Sequence, residues 1–343
     1  MVSMKDLSVA CGVSVATVSK ALNNHNDIGE ETKEMIRRKA KEMGYLPNLS
    51  ARALKTNKTN NIGVLFSDAS QCGLTHDYFA NVLDQFKHTA EEKGYDITFL
   101  NCNKTRTGRM SYYEHAQYRG LDGVMIACID FRDPEILQLM EGKLPIVTID
   151  HSSDSTSSVM SDNIQGMQAL TSYVVEEMGH TKVAYIHGDE SSATMVTKNR
   201  LSSFLRVMER HGISVPPEYI RTAPYRDMEE TARRTKELLE LPERPTCILF
   251  PDDYAAVGGM NMIKSYGLRI PEDISVAGYD GLNIATRLEP QMTTVFQDTA
   301  AIGEAAAKKM VDLIEHAKTT SIEHITVQCV LKKGKTVGKL YSV

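Results

Sequence analysis

No run of apolar residues in this chain approaches the length of a membrane span. The N-terminus is polar, with none of the charged-then-apolar pattern of a secretion leader, so a cytoplasmic place is expected. The six cysteines (11, 72, 102, 128, 247, 329) are scattered, with no C-x-x-C pair, which argues against a disulfide scaffold and a zinc knuckle. The histidines show no H-x-x-x-H spacing, so no metal site is expected. Neither G-x-G-x-x-G nor G-x-x-x-x-G-K-[ST] occurs, which leaves nucleotide cofactors unsupported, and no cofactor is expected. The nucleophile elbow G-x-S-x-G is missing too. No leucine heptad follows the last strand expected, over Ile325 to Leu331, so a homodimer is expected rather than a coiled-coil tetramer.

What is present begins with an uneven charge. The chain carries a net −5, yet residues 1–58 alone carry +4 and the remainder −9. A basic head on an acidic body is the asymmetry of a protein whose head alone meets phosphates. Ser3-Met4-Lys5-Asp6 fits a capping box, and Leu7, Ala10 and Cys11 then share one helical face. Gly12 supplies the left-handed turn that ends this helix. Ser14 caps a second helix, with Val18, Ala21 and Leu22 inward and Val15, Ala16, Ser19 and Lys20 largely outward. A third runs from about Glu30 to Met43 on the stripe Ile36, Ala40 and Met43, closed by Gly44. Helix, tight turn and small second helix form a helix-turn-helix, which seats that second helix in a DNA major groove.

From Asn61 onward short apolar runs alternate with amphipathic stretches. Strands are expected at 62–66, 95–100, 123–127 and 145–150, with a helix from Tyr78 to Lys93. The order restarts with strands at 182–186, 246–250 and 274–280 and helices over 200–211 and 253–266. Continuous apolar strands between helices read as parallel sheets covered on both faces. The fold class is therefore α/β: a three-helix head, then two doubly wound parallel subdomains with a cleft between them. Such sheets bind ligands at the carboxyl ends of their strands. The polar residues there are Asp68, Asp130, Asp150, His151, His187, Asp189, Asp252, Asp253 and Asp280. Asp253 reads as a helix cap or a ligand contact; Asp68, Asp130 and Asp189 read as loop residues.

Lys5-Asp6-Leu7, Ala10, Gly12-Val13-Ser14, Thr17-Val18-Ser19, Leu22-Asn23, Thr32, Gly44-Tyr45, Pro47-Asn48, Ala51 and Leu54 form an ordered pattern. By this pattern the sequence resembles the lactose-repressor (LacI) family of bacterial transcription regulators, which implies α/β subdomains of periplasmic-binding-protein type, and the likeness continues to about residue 338. The resemblance implies that Val15, Ala16 and Lys20 read base edges while Ser14, Thr17, Ser19 and Asn23 hold phosphates. Lys20 stands where the family usually carries arginine, a point charge in place of a rigid fork.

Residues 48–56 resemble the family's hinge helix, with Asn48 as cap and Ala51 and Leu54 on one face. A helix so short folds only on DNA, paired with its copy, where Leu54 wedges into the minor groove. The resemblance also places Asp150, Arg200, Asp252 and Asp280 against an effector, Arg200 at the start of a helix. Carboxylates and an arginine suit the hydroxyls of a sugar or sugar derivative.

The expected organisation is 1–47, the DNA-binding head; 48–60, hinge and linker; 61–160 with 293–321, a first subdomain; and 161–292 with 322–343, a second. The expected function is an effector-controlled regulator, not an enzyme, whose partners are a pseudo-palindromic double-stranded operator, a sugar-like effector and a second copy. Two alternatives stand beside it. A two-lobed sugar-binding protein without a DNA role predicts an export signal and no reading head. An α/β enzyme with a fused helical domain predicts a nucleophile–base pair or a cofactor motif.

Overall fold

The structure, a computed structural model, describes residues 2–46, 58–67, 73–100, 110–188 and 194–340. The hinge reading at 48–56, with Asn48, Ala51 and Leu54, lies outside the described residues, as do Asp68, Cys72, Cys102 and Asp189. The chain divides into two compact units, Met1–Thr59 and Asn60–Val343.

The first unit contains α1 (Met4–Cys11), α2 (Val15–Leu22) and α3 (Glu30–Glu42). Ser3 makes the full capping box with Asp6, and Gly12 closes α1 at φ 66°. Leu7, Val18, Ala21, Ile36 and Ala40 form the core, with Met4, Cys11, Leu22, Met43 and others around it. Ala10, expected inward, is exposed, and Ser8 is buried in its place. The Ser8 hydroxyl donates to the Lys5 carbonyl, which satisfies it without an outside partner.

The second unit opens with β1 (Asn61–Phe66), α4 (Asp77–Glu92), β2 (Asp96–Phe99), α5 (Tyr112–Tyr118), β3 (Gly123–Ala127), α6 (Pro134–Met140), β4 (Ile146–Ile149) and β5 (Ser157–Ser161). It continues with α7 (Asn163–Ser172), β6 (Val183–Gly188), α8 (Met195–Arg210), β7 (Ile220–Ala223), α9 (Met228–Leu239), β8 (Cys247–Leu249), α10 (Asp253–Ser265) and β9 (Ser275–Ala277). Last come α11 (Asn283–Arg287), β10 (Thr294–Gln297), α12 (Thr299–Glu315), β11 (His324–Val327) and β12 (Cys329–Lys332).

One sheet runs β11-β5-β4-β3-β1-β2 and another β7-β6-β8-β9; every pairing in both is parallel. Strand order reverses between β1 and β3, and again between β6 and β8, which opens a crevice at the carboxyl ends there.

The C-terminal stretch departs from the sequence reading. The run 325–331, expected as one strand, is two: β11 pairs with β5 in the first sheet, and β12 pairs antiparallel with β10. The break falls at Gln328, whose side chain donates to Asp162. Residues 322–343 therefore do not all belong to the second subdomain, since β11 completes the first sheet. Likewise β10, expected in the first subdomain, is bridged to the β9 region through Ala277–Thr293 and Asp280–Phe296.

Candidate functional site

Two sets of residues were singled out, one in each unit. In the head, α2 presents the expected outer face. Ser14, Val15, Ala16, Lys20 and Asn23 are exposed, and Thr17 and Ser19 are partly so. The Ser14 hydroxyl accepts from the Thr17 amide at 3.0 Å, so the helix start is fixed by the same residue that the resemblance sets against a phosphate. The Ser14 and Thr17 hydroxyls also lie 2.9 Å apart, and the first turn carries the positive end of the helix dipole. Lys20 forms an ion pair with Asp27, and the Asn23 amide donates to the Ser19 carbonyl at 2.7 Å. The Lys20 pair holds the Asp27 carboxyl below its ordinary value. Lys20 and Asn23 must both release an internal partner before reaching DNA.

In the second unit the strand ends bring Asp150, Arg200, Asp252 and Asp280 together. Asp150 follows β4 and Asp280 follows β9, and both have a left-handed backbone, φ 58° and φ 100°. Aspartate tolerates the first value; the second lies outside the usual left-handed well, a strain that commonly marks a functional position.

Arg200 is only 3% exposed. Its Nε donates to Asn163 Oδ1 at 2.7 Å, its Nη1 to the Pro251 carbonyl at 3.0 Å, and its guanidinium lies 3.6 Å over the Tyr279 ring. The nearest Asp280 oxygen is 3.9 Å from Nη2, an attraction without a hydrogen bond. Arg200 was expected at a helix start; α8 begins earlier, capped by Thr194, which puts Arg200 in its second turn and turns it inward.

The carboxylates divide by what holds them. Asp252 caps α10: one oxygen accepts from the Ala255 amide at 2.8 Å, the other from the Arg226 amide at 2.7 Å. The cap considered for Asp253 thus falls to its neighbour. Asp253 is fully buried and accepts from the Leu282 amide and the Thr294 hydroxyl, stitching α10 to the loop after β9. Both are structural anchors. Asp150 is different: Oδ2 accepts from the Tyr78 hydroxyl at 2.9 Å, while Oδ1 is buried with no hydrogen-bond partner. Asp280 accepts from the Gln297 amide at 2.7 Å.

Burial pushes Asp150 up to about 6, against the opposing effects of Tyr78 and Arg200. Burial likewise lifts Asp280 to about 8; Arg200 opposes the rise, and Asp252 and Asp150 add to it. Asp252 is also raised, by burial first.

A carboxylate raised on folding contributes stability below its unfolded value, and that contribution is lost as pH rises through the folded value. For Asp280 the window runs from 3.8 to about 8. Asp280→Asn is therefore expected to flatten the fall in urea midpoint between pH 5 and pH 8.5. An unchanged pH slope in the variant would remove Asp280 as its source.

Sequence reasoning missed Tyr78, Asn163, Gln297 and Arg226. Asn163 follows β5, a strand hidden in the serine-rich Ser157-Ser158-Val159-Met160-Ser161. Tyr78 was placed in the right helix but not given a polar role. Arg226 has φ 63° in the loop before α9, and its buried Nε and Nη1 have no acceptor. Asp150 Oδ1 and Arg226 Nε and Nη1 are thus buried polar atoms with no hydrogen-bond partner among the described residues. Among the described residues, no helix is long and apolar enough to cross a membrane.

Comparison with known proteins gives two family matches. Residues 3–48 match "Bacterial regulatory proteins, lacI family", and residues 175–337 match "Periplasmic binding protein-like domain". The chain is similar to the HTH-type transcriptional repressor PurR of Escherichia coli and of Shigella boydii, 29% identical over 318 residues, 92% of this chain and 91% of the relative. Its fold is similar to the lac repressor dimer bound to operator and the anti-inducer ONPF, with a TM-score of 0.80 at 23% identity over 98% of this chain and 99% of that one. It is also similar to the transcriptional regulator CelR–cellobiose complex, with a TM-score of 0.70 at 23% identity over 98% of this chain and 100% of that one.

Proposed function

We propose, from the premise that the chain belongs to the lactose-repressor (LacI) family of bacterial regulatory proteins, how its two units divide the work. The chain is a DNA-binding transcription regulator with a ligand-binding domain, and not an enzyme. The finer reading is as follows. It works as a cytoplasmic homodimer and binds a pseudo-palindromic operator, one half-site per head. Val15, Ala16 and Lys20 meet base edges; Ser14, Thr17, Ser19 and Asn23 meet the backbone. Asn48, Ala51 and Leu54 belong to a hinge that orders on DNA. The domain organisation is that of the sequence reading, with 324–327 returned to the first subdomain and 294–297 to the second.

Asp150, Arg200 and Asp280 contact the effector, and Asp252 holds the loop and helix that frame it. The effector is a sugar or sugar derivative, whose hydroxyls supply both donors and acceptors for those buried atoms of Asp150 and Arg226. The CelR structure, which has the same fold, is a complex with cellobiose, in keeping with such a ligand. The effector acts by its difference in affinity for two closure states of the cleft.

The observation that carries the reading is α2, capped by Ser14 and open along the face of Val15, Ala16 and Lys20. A sugar-binding protein without a DNA role has no use for that face.

The test is fluorescence anisotropy on a duplex selected from random sequence by the intact chain. Lys20→Ala is expected to weaken binding by about 5- to 150-fold, the ~1–3 kcal/mol of one base contact, and to relax preference at one base per half-site. Equal loss on every duplex would make Lys20 a phosphate contact instead.

A further inference from the structure

Beyond the effector contacts, one set of residues joins the two halves of the second unit directly. Tyr254, the second residue of α10, donates its hydroxyl to Asp77 Oδ2 at 2.6 Å, and Asp77 is the first residue of α4. These helices belong to different sheets, so this bond spans the cleft. Tyr254 is held in turn: the Arg226 guanidinium lies 4.1 Å over its ring, and the Arg226 amide donates to Asp252, the cap of the same helix. Around the bond, Leu282, Ile284 and Tyr254 from the second half pack on the core of the first. On the far side, the residue after Asp77 is Tyr78, whose hydroxyl grips Asp150. Two successive residues at the start of α4 thus serve different masters. Asp77 takes the latch from the opposite lobe, and Tyr78 takes the carboxylate with the unspent oxygen.

We propose that Tyr254 and Asp77, steadied by Arg226, form a closing latch that sets the resting balance between closed and open cleft, and that Tyr78 links this latch to Asp150. This deepens, and rests on, the reading of the cleft as an effector site. A ligand that engages Asp150 pulls on the residue next to the latch, so contact and closure are coupled over one peptide bond. The latch also fixes how far the empty protein is closed, and hence how much of the ligand's differential affinity is needed to move it.

Hydrogen–deuterium exchange of the full chain, without DNA or ligand, tests this, so a failed DNA or ligand assay leaves the result readable. Tyr254→Phe keeps the ring and its stack but removes the donor; Asp77→Asn removes the charged acceptor. Each variant is expected to speed exchange about tenfold both at 77–82 and at 253–258, across the cleft from one another, while melting cooperatively. The double variant is expected to exchange no faster than either single one. Exchange at the wild-type rate, acceleration confined to the mutated helix, or additive effects in the double variant would each overturn the latch.

Discussion

Replacing Ile36 with alanine is expected to weaken specific DNA binding by as much as about 100-fold. Ile36 is fully buried, at the meeting of three short helices whose core has, among the described residues, only four other buried apolar side chains. Deleting its branched chain costs about 2–5 kcal/mol in transfer and cavity terms together. A head of this size has roughly 2–7 kcal/mol of stability to lose, at ~0.05–0.15 kcal/mol per residue. Most of the population then carries an unfolded head, and α2 is no longer presented. Ile36→Val, at about 0.5–1.5 kcal/mol, is expected to keep most binding. Anisotropy on the selected duplex measures both variants, and the thermal transition of the second unit serves as the control, expected unchanged. Wild-type affinity in Ile36→Ala would mean that the head is far more stable than so small a core allows.

Arg200→Ala is expected to have the largest effect in the second unit. Its guanidinium is shared between the Asn163 amide oxygen, the Pro251 carbonyl, the Tyr279 ring and the nearby Asp280 carboxyl. Truncation leaves those acceptors buried without their donor and removes the cation that offsets the crowded carboxylates. Breaking a buried pair in this way costs about 3–5 kcal/mol. At ~2–4 °C per kcal/mol, the melting temperature of this unit should fall by about 6–20 °C. Arg200→Lys should recover little, because a lysine ammonium is a compact point charge without the planar fork that reaches Asn163 and Pro251 while lying flat over the Tyr279 ring. Selected-duplex binding should persist at working temperature, while any metabolite that raises the wild-type melting temperature should no longer do so. A variant melting with the wild type would show that Arg200 holds nothing together.

Much of this was legible in the residues. The Ser3 and Ser14 caps, the Gly12 turn and the inward stripe of Val18, Ala21 and Ile36 are local patterns, read over three or four residues. The buried strands Gly123–Ala127 and Ile146–Ile149 were visible as apolar runs. Ser157–Ser161 was not, because its serines are buried by the β4 and β11 strands beside them, which no local window contains. The run around Gln328 looked continuous because its two halves are equally apolar; only their partners differ.

The sequence by itself therefore determined the reading head, the alternation of strands and helices, and the strand-end placement of Asp150 and Asp280, since each follows from neighbours along the chain. Tertiary structure alone decided which carboxylates are anchors and which remain open. It turned Asp252 into a cap, buried Asp253 under Leu282 and Thr294, buried Arg200 against Asn163, Pro251 and Tyr279, and set Tyr254 against Asp77. Those roles depend on burial and on partners up to 177 positions away in the chain. Charge and hydrogen-bond capacity become specific only when folding removes water and fixes what stands opposite.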